Sequence, residues 1–289
     1  MQLLLYNRTS GGFSESVFNK YFFADSRFHC CDVLEHDCPP SDLSTYSSII
    51  IAGGDDTIRK VIQTILPKLV SMSPTIPISL FPSGTVCDLH RSLSIPLSPT
   101  GFFSFQEKAD LRDIDYVLAR SLSEDIEKDV LFLSKLSTGF LVELHHRVFR
   151  NKLPSSQFSY YFQILPALLA TSSENYVLKV DDVILERSAI GIFVLNAPST
   201  GGLNWSPEIN PSDGYLDLFI YQGAGLLQKL SKLRGFFGGF QKCGEHIRCR
   251  KVEILEPADL QVLVDGELEL QTPVVAEICS KPLKFHSGA

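Results

Sequence analysis

The residues Gly53-Gly54-Asp55-Asp56-Thr57 constrain this chain more than any other stretch. Ahead of them Ser48-Ile49-Ile50-Ile51-Ala52 is a short apolar, β-branched run. Behind them Ile58, Val61, Ile62, Ile65 and Leu66 recur at helical spacing up to Pro67, which is expected to end the helix. The pattern is strand, glycine turn, helix. Such a turn leaves backbone N–H groups unpaired at a helix N-terminus, where the helix dipole also favours negative charge, so phosphate is its natural ligand. A glycine pair with an aspartate cap also ends many strands for steric reasons alone, so the stretch acquires a functional meaning only from its company.

That company is close by in sequence. Gln2 to Tyr6 reads as a buried strand, followed by Asn7-Arg8-Thr9-Ser10-Gly11-Gly12 and by Val17, Phe18, Tyr21 and Phe22 on one helical face. A second strand is expected around Phe28 to Leu34. The polar link Pro39 to Ser47 leads into the strand at Ser48. A fourth strand, Ile76 to Phe81, ends in Pro82-Ser83-Gly84-Thr85 and a further helical pattern with Val86, Leu89 and Leu93. Alternation of this kind predicts a parallel sheet with right-handed crossovers, whose ligand sits outside the carboxyl ends of the strands. Three of those strands end in polar, glycine-bearing loops. All three help only if they converge on one anionic group, such as a triphosphate.

From about Tyr116 the character changes. Val130–Ser137, Tyr176–Val180, Val183–Glu186, Ala189–Leu195, Leu216–Tyr221, Ile247–Leu255 and Leu260–Val264 read as strands joined by short turns such as Val264-Asp265-Gly266-Glu267. Helices are expected near Tyr160–Ala170 and Leu226–Phe236. The fold class is therefore α/β plus all-β, a parallel α/β domain over 1–116 and a mostly antiparallel β domain over 117–276. The piece from Leu93 to Gly101 reads as a linker or a long loop. The apolar run from Val275 to Phe285 can return to either domain.

With 289 residues and 44% apolar residues there is ample material for two cores. The 26 basic residues fall short of the 33 acidic ones by seven, which argues against nucleic acid as a partner. Seven cysteines without a Cys-x-x-Cys pair read as reduced thiols of a cytoplasmic protein. Neighbouring Cys30 and Cys31 on one strand would point to opposite faces, which disfavours a zinc site with Cys38 and His36. Adjacent His145 and His146 diverge in the same way.

Set side by side, these motifs resemble those of the diacylglycerol kinase catalytic family, soluble bacterial lipid kinases related to sphingosine kinases. Asn7-Arg8-Thr9-Ser10-Gly11 is similar to the family's N-P-x-S-G, Gly53 to Thr57 to G-G-D-G-T, and Pro82 to Arg91 to P-x-G-T-x-N-D-x-A-R. In the second half Ser137-Thr138-Gly139-Phe140 is similar to a small-residue, Gly-Phe segment. Asn196 to Gly202 resembles N-x-x-x-x-G-G, Pro207 to Asp217 resembles P-x-A-x-x-D-G-x-L-D, and Asp265-Gly266-Glu267 resembles D-G-E. The resemblance implies an NAD-kinase-like α/β domain and a β-sandwich, with segment 277–289 returning to the first domain and the site in the cleft between the two. It implies ATP held by Asn7, Thr9, Ser10, Gly11, Gly53, Gly54, Asp55, Asp56, Thr57, Gly84 and Thr85. Mg²⁺ is implied at Asp213 with Asn210 and Tyr215, and catalysis by Glu267, as general base, with Asp265. The acceptor is expected to be the hydroxyl of diacylglycerol or a similar lipid.

Those roles agree with what phosphoryl transfer needs: amide-rich loops, a carboxylate-bound metal and a carboxylate to receive the hydroxyl proton. Four positions depart from the pattern. Arg8 replaces a proline, Asp56 a glycine, Cys87 an asparagine and His90 a small residue. A second carboxylate at Asp56 beside a triphosphate predicts weakened nucleotide binding, relieved in Asp56→Gly. A weakened or inactive relative that binds nucleotide or lipid is the alternative reading, and an NAD kinase a third. A lipid acceptor implies transient contact with a membrane surface. Arg234, Lys242, His246, Arg248, Arg250 and Lys251 with Phe236, Phe237 and Phe240 could supply it, or could form a solvated face over a core. A homodimer is compatible with the sequence.

Overall fold

The computed structural model describes the chain except for residues 73–74, 85–86, 124–128, 151–156, 201–202, 205, 207, 224, 226–243 and 289. The expected helix at Leu226–Phe236, Thr85, and Arg234, Lys242, Phe236, Phe237 and Phe240 of the basic patch lie outside the described residues. Packing divides the chain into one unit of residues 1–114 with 281–289 and a second of residues 115–280. None of the described helices is long and apolar enough to cross a membrane.

In the first unit β1 (Gln2–Tyr6), α1 (Glu15–Phe18) and β2 (Phe28–Asp32) are followed by β3 (Ser48–Gly53), α2 (Asp55–Ser71) and β4 (Ile78–Pro82). Then come α3 (Asp88–Ser92), α4 (Pro99–Gln106) and β5 (Asp110–Ile114). The sheet order is β2-β1-β3-β4, then the C-terminal strand Leu283–Ser287, then β5. β1, β2, β3 and β4 run parallel, so the loops after β1, β3 and β4 leave the same edge of the sheet side by side. One face is covered by an aromatic cluster in which Phe18, Phe22, Phe81 and Phe102 are buried. Helix α2 buries Ile58, Val61, Ile62, Ile65 and Leu69, about 1.5–3 kcal/mol for each large aliphatic side chain.

Two expectations fail here. Pro67 lies inside α2 and does not stop it; the helix continues to Ser71, with Leu69 still buried on the inner face. The segment Leu93–Gly101 is no plain linker. Ser98 caps α4 by accepting the Gly101 N–H at 3.2 Å, and Pro99 takes the first helical position, where its missing N–H costs nothing.

The second unit begins with β6 (Val117–Ser121), β7 (Val130–Phe132), β8 (Lys135–Gly139), α5 (Phe140–Arg150) and α6 (Gln157–Ala170). It continues with β9 (Glu174–Val180), β10 (Val183–Ala189), β11 (Gly191–Leu195) and the two-residue strands β12 (Ser199–Thr200) and β13 (Leu203–Asn204). Last come β14 (Leu216–Tyr221), β15 (Glu245–Cys249), β16 (Lys251–Glu256), β17 (Gln261–Val264), β18 (Glu267–Gln271) and β19 (Val274–Ile278). They form two six-stranded sheets, β10-β9-β16-β19-β6-β7 and β15-β14-β11-β8-β17-β18, with one apolar core drawn from both. Every pairing within them is antiparallel.

Each long apolar run of the sequence divides where the chain changes sheet. Val130–Ser137 bends at Leu133-Ser134. Ile247–Leu255 leaves one sheet for the other at Arg250, where Asp181 accepts the Arg250 and Lys251 N–H groups at 3.0 and 2.9 Å. The run Val275–Phe285 is shared: β19 stays in the second unit and Leu283–Ser287 joins the sheet of the first.

Candidate functional site

Asn7, at the end of β1, starts the first loop. Its Oδ1 accepts the Thr9 N–H and hydroxyl at 2.9 and 2.7 Å, an Asx turn, while its Nδ2 donates to Thr57 Oγ1 at 3.3 Å. The Ser83 carbonyl accepts from the Ser10 hydroxyl at 2.5 Å and from the Gly12 N–H at 3.0 Å, which joins the loop after β1 to the loop after β4. A side chain at Gly12 would fall 2.6 Å from that carbonyl oxygen. The loops after β3 and β4 meet as closely: a Cβ on Gly84 would overlap Gly54 Cα and lie 2.9 Å from Gly54 N. Glycine is required at Gly12 and Gly84 for close approach of backbone to backbone, not for an unusual φ. The three loops therefore meet at the N-terminus of α2.

Within that cluster Asp55 and Asp56 do different work. The Asp55 carboxylate accepts the Asp88 and Leu89 N–H groups, both at 3.0 Å, and so caps α3 from 33 residues away. Asp56, at the second position of α2, pairs with Arg59 at 3.1 Å and Lys60 at 2.7 Å. Its φ is that of ordinary helix, so the left-handed conformation that a motif glycine would permit is not needed, and two cations offset its charge. Arg8 pairs with buried Asp32 and with Glu35, which tethers the loop after β2. Cys87 stands in the left-handed region, at φ 56° and ψ 51°, with its thiol pushed up to about 11 by burial.

A cavity of about 280 Å³ opens beside these loops, lined by Asn7, Asp56, Thr57 and Lys60 and walled by Leu5, Val33, Leu34 and Cys38. That is close to the lower end of the roughly 300–1,000 Å³ typical of small-molecule sites. Lys60, Val33, Leu34 and Cys38 were absent from the sequence-derived site. Only the i, i+4 spacing of Asp56 and Lys60 hinted at any of them.

In the second unit Asp265 and Gly266, at φ 44° and 98°, form the two-residue turn between β17 and β18 and place Glu267 opposite Val264. The buried Asp265 carboxylate accepts the N–H groups of Leu133, Ser134 and Lys135 at 2.8, 3.0 and 2.8 Å. Burial raises its pKa against the pull of those donors. With its oxygens so engaged, Asp265 fastens the β7–β8 bend to the turn that carries Glu267. Asn196 braces the same bend, donating from Nδ2 to Leu133 O at 2.8 Å and Asp115 O at 2.9 Å. Asp115 in turn accepts the Gly214 N–H at 2.8 Å and so fixes the turn that contains Asp213.

That turn brings Asn210, Asp213 and Tyr215 together, with Tyr215 exposed and the two polar side chains folded back onto the turn's own backbone. Asn210 Oδ1 accepts the Ser212 N–H at 3.2 Å, and Asp213 Oδ1 accepts the Tyr215 N–H at 3.1 Å. Asp213 Oδ2 lies 2.6 Å from Arg248 Nη2. Among the described residues no three His, Cys, Asp or Glu side chains cluster as metal ligands, and this donor set, already taken by the chain's own groups, does not fit a divalent cation. Of the basic patch, His246 pairs with Asp217 at 2.6 Å and Lys251 with Glu253 at 3.2 Å, so its described members are mostly neutralised.

Glycine loops gather at the N-terminus of a long helix in a parallel α/β unit, and a β-sandwich follows it in the chain. Residues 35–119 match the diacylglycerol kinase catalytic domain, and residues 134–286 match the YegS C-terminal NAD kinase beta sandwich-like domain. The chain belongs to the diacylglycerol kinase catalytic family of lipid kinases. A protein of Staphylococcus haemolyticus named "Putative lipid kinase" is 24% identical over 88% of this chain and 82% of its own length. One of Staphylococcus aureus with the same name is 25% identical over 82% and 76%. A solved structure titled as a "putative diacylglycerol kinase" from Bacillus anthracis superposes with a TM-score of 0.78 at 18% identity, over 99% of this chain and 97% of that one.

Proposed function

We propose that the protein transfers the γ-phosphate of ATP to a hydroxyl of diacylglycerol or a similar lipid at a membrane surface. The observation that carries the proposal is the meeting of the loops at Asn7, Gly54 and Gly84 at the N-terminus of α2, beside the cavity that Lys60 lines. The first N–H groups of α2, which have no partner within the helix, and the helix dipole there favour the anionic tail of a nucleotide, and the cavity is suited to its nucleoside. Glu267 receives the proton of the acceptor hydroxyl while the hydroxyl oxygen bonds to the γ-phosphorus and ADP departs with the electrons of the broken P–O bond. Asp265 and Asn196 act by holding the bend and the turn that fix Glu267. No step is assigned to a metal at Asp213.

The test is transfer of label from γ-labelled ATP to diacylglycerol, monoacylglycerol, phosphatidylglycerol, sphingosine or NAD. Label in a lipid is the expected result. Label in NAD alone would make the protein an NAD kinase, and nucleotide binding without any transfer would make it an inactive relative.

A further inference from the structure

We infer that the guanidinium of Arg248 stands where the family pattern puts a divalent cation, so that the turn Asn210–Tyr215 is held without metal. The inference goes beyond the proposed activity and would hold equally for an inactive relative. The turn hangs on Asp115, whose N–H donates to Pro211 O at 2.7 Å and whose Oδ2 accepts the Gly214 N–H at 2.8 Å. Asp213, the single carboxylate in the turn, has one oxygen on the Tyr215 N–H and the other 2.6 Å from Arg248 Nη2. The Arg248 guanidinium also lies over the Tyr215 ring, 4.6 Å from its centroid, and that of Arg250 lies 5.1 Å from the same ring. Two cations gathered on the turn repel a third and supply the positive charge a metal would bring.

The placement of Arg248 is built into the fold. On β15 it is the register partner of Asp217 on β14, immediately after the turn, so strand pairing delivers its planar fork to Asp213. A neighbouring anion, Asp217, is satisfied separately by His246. Asp213 and Arg248 are both partly open to solvent, at 26% and 48% of side-chain exposure, so added metal can reach them and the inference is open to test.

The experiment is thermal unfolding of the full chain without nucleotide, in chelator and in millimolar MgCl₂. The wild-type Tm is expected to be the same in both. Arg248→Ala, or Arg248→Gln if the first variant folds poorly, is expected to lose about 2–4 °C in chelator and to regain it with Mg²⁺. The double variant Arg248→Ala, Asp213→Asn is expected not to regain it. Saturable stabilisation of the wild type by Mg²⁺, abolished by Asp213→Asn, would overturn the inference by showing that metal displaces Arg248. An Arg248→Ala protein that neither loses stability nor responds to Mg²⁺ would overturn it as well.

Discussion

Replacing Gly84 with alanine tests the loop convergence at its tightest point. An ideal Cβ there falls 2.9 Å from Gly54 N and nearer still to Gly54 Cα, whereas ordinary contact begins at 3.4 Å. Neither neighbour is a flexible side chain, so the loops after β3 and β4 must part by roughly 0.5–1 Å, an overpacking cost of about 1–3 kcal/mol. The displaced atom is the N–H at the cap of α2, one of the donors assigned to phosphate. A charged hydrogen bond is worth about 1.5–3 kcal/mol, so its loss weakens nucleotide binding by about 10- to 100-fold. The assay is calorimetric titration of the folded Gly84→Ala protein with a non-hydrolysable ATP analogue. Gly225→Ala, where no heavy atom of the described residues lies within 4 Å of the added Cβ, is the control and is expected to bind as the wild type does. Wild-type affinity in a folded Gly84→Ala protein would refute the assignment of this corner to phosphate.

Asp56→Gly is expected to lower Tm, since glycine costs about 1 kcal/mol in a helix and the first-turn carboxylate is lost, while titration shows less than about threefold tightening of nucleotide; a larger gain would mean Arg59 and Lys60 do not offset the charge. Cys87→Asn is expected to stabilise the protein by about 0.5–1 kcal/mol in denaturant unfolding, because asparagine tolerates the left-handed conformation and its amide can donate to Gly84 O, which the thiol now approaches at 3.4 Å; a lower midpoint would contradict this. His90 is held neutral by burial, its pKa pushed down to about 4, so its contribution is complete above the unfolded value of about 6.5 and is lost as pH falls toward 4. At about pH 5 the loss is on the order of 2 kcal/mol, and the wild type is expected to lose that much more stability than His90→Leu between neutral pH and pH 5; parallel curves would show that His90 does not titrate against folding.

The parallel sheet was legible because its signals are local: β-branched runs, glycines after them, and a 3.6-residue period behind. The convergence of the three loops was legible because glycines forced by close approach appear in the sequence whatever they approach. What a side chain does across distance was not. Asp55 reads as a cap on its own helix but serves α3, and Asp265 reads as half of a hairpin turn but serves a bend 130 residues earlier. The division of Val130–Ser137 into two strands depends on that carboxylate, so no periodicity within the run announces it. The same holds for Arg8 and Arg248, whose partners are fixed by strand pairing. Helix α5 carried a signal that went unread, Leu141, Leu144 and Val148 at helical spacing on its buried face.

The central claim is that one chain supplies both a nucleotide-holding loop cluster and, in Glu267, the base for a lipid hydroxyl. Its most direct test compares the wild type with Glu267→Gln in transfer of label from γ-labelled ATP to diacylglycerol-containing vesicles, with ATP-analogue binding measured on the same samples. The account predicts that Glu267→Gln binds the analogue as tightly as the wild type but transfers label about 10²- to 10⁴-fold more slowly. Transfer by Glu267→Gln at the wild-type rate would contradict it.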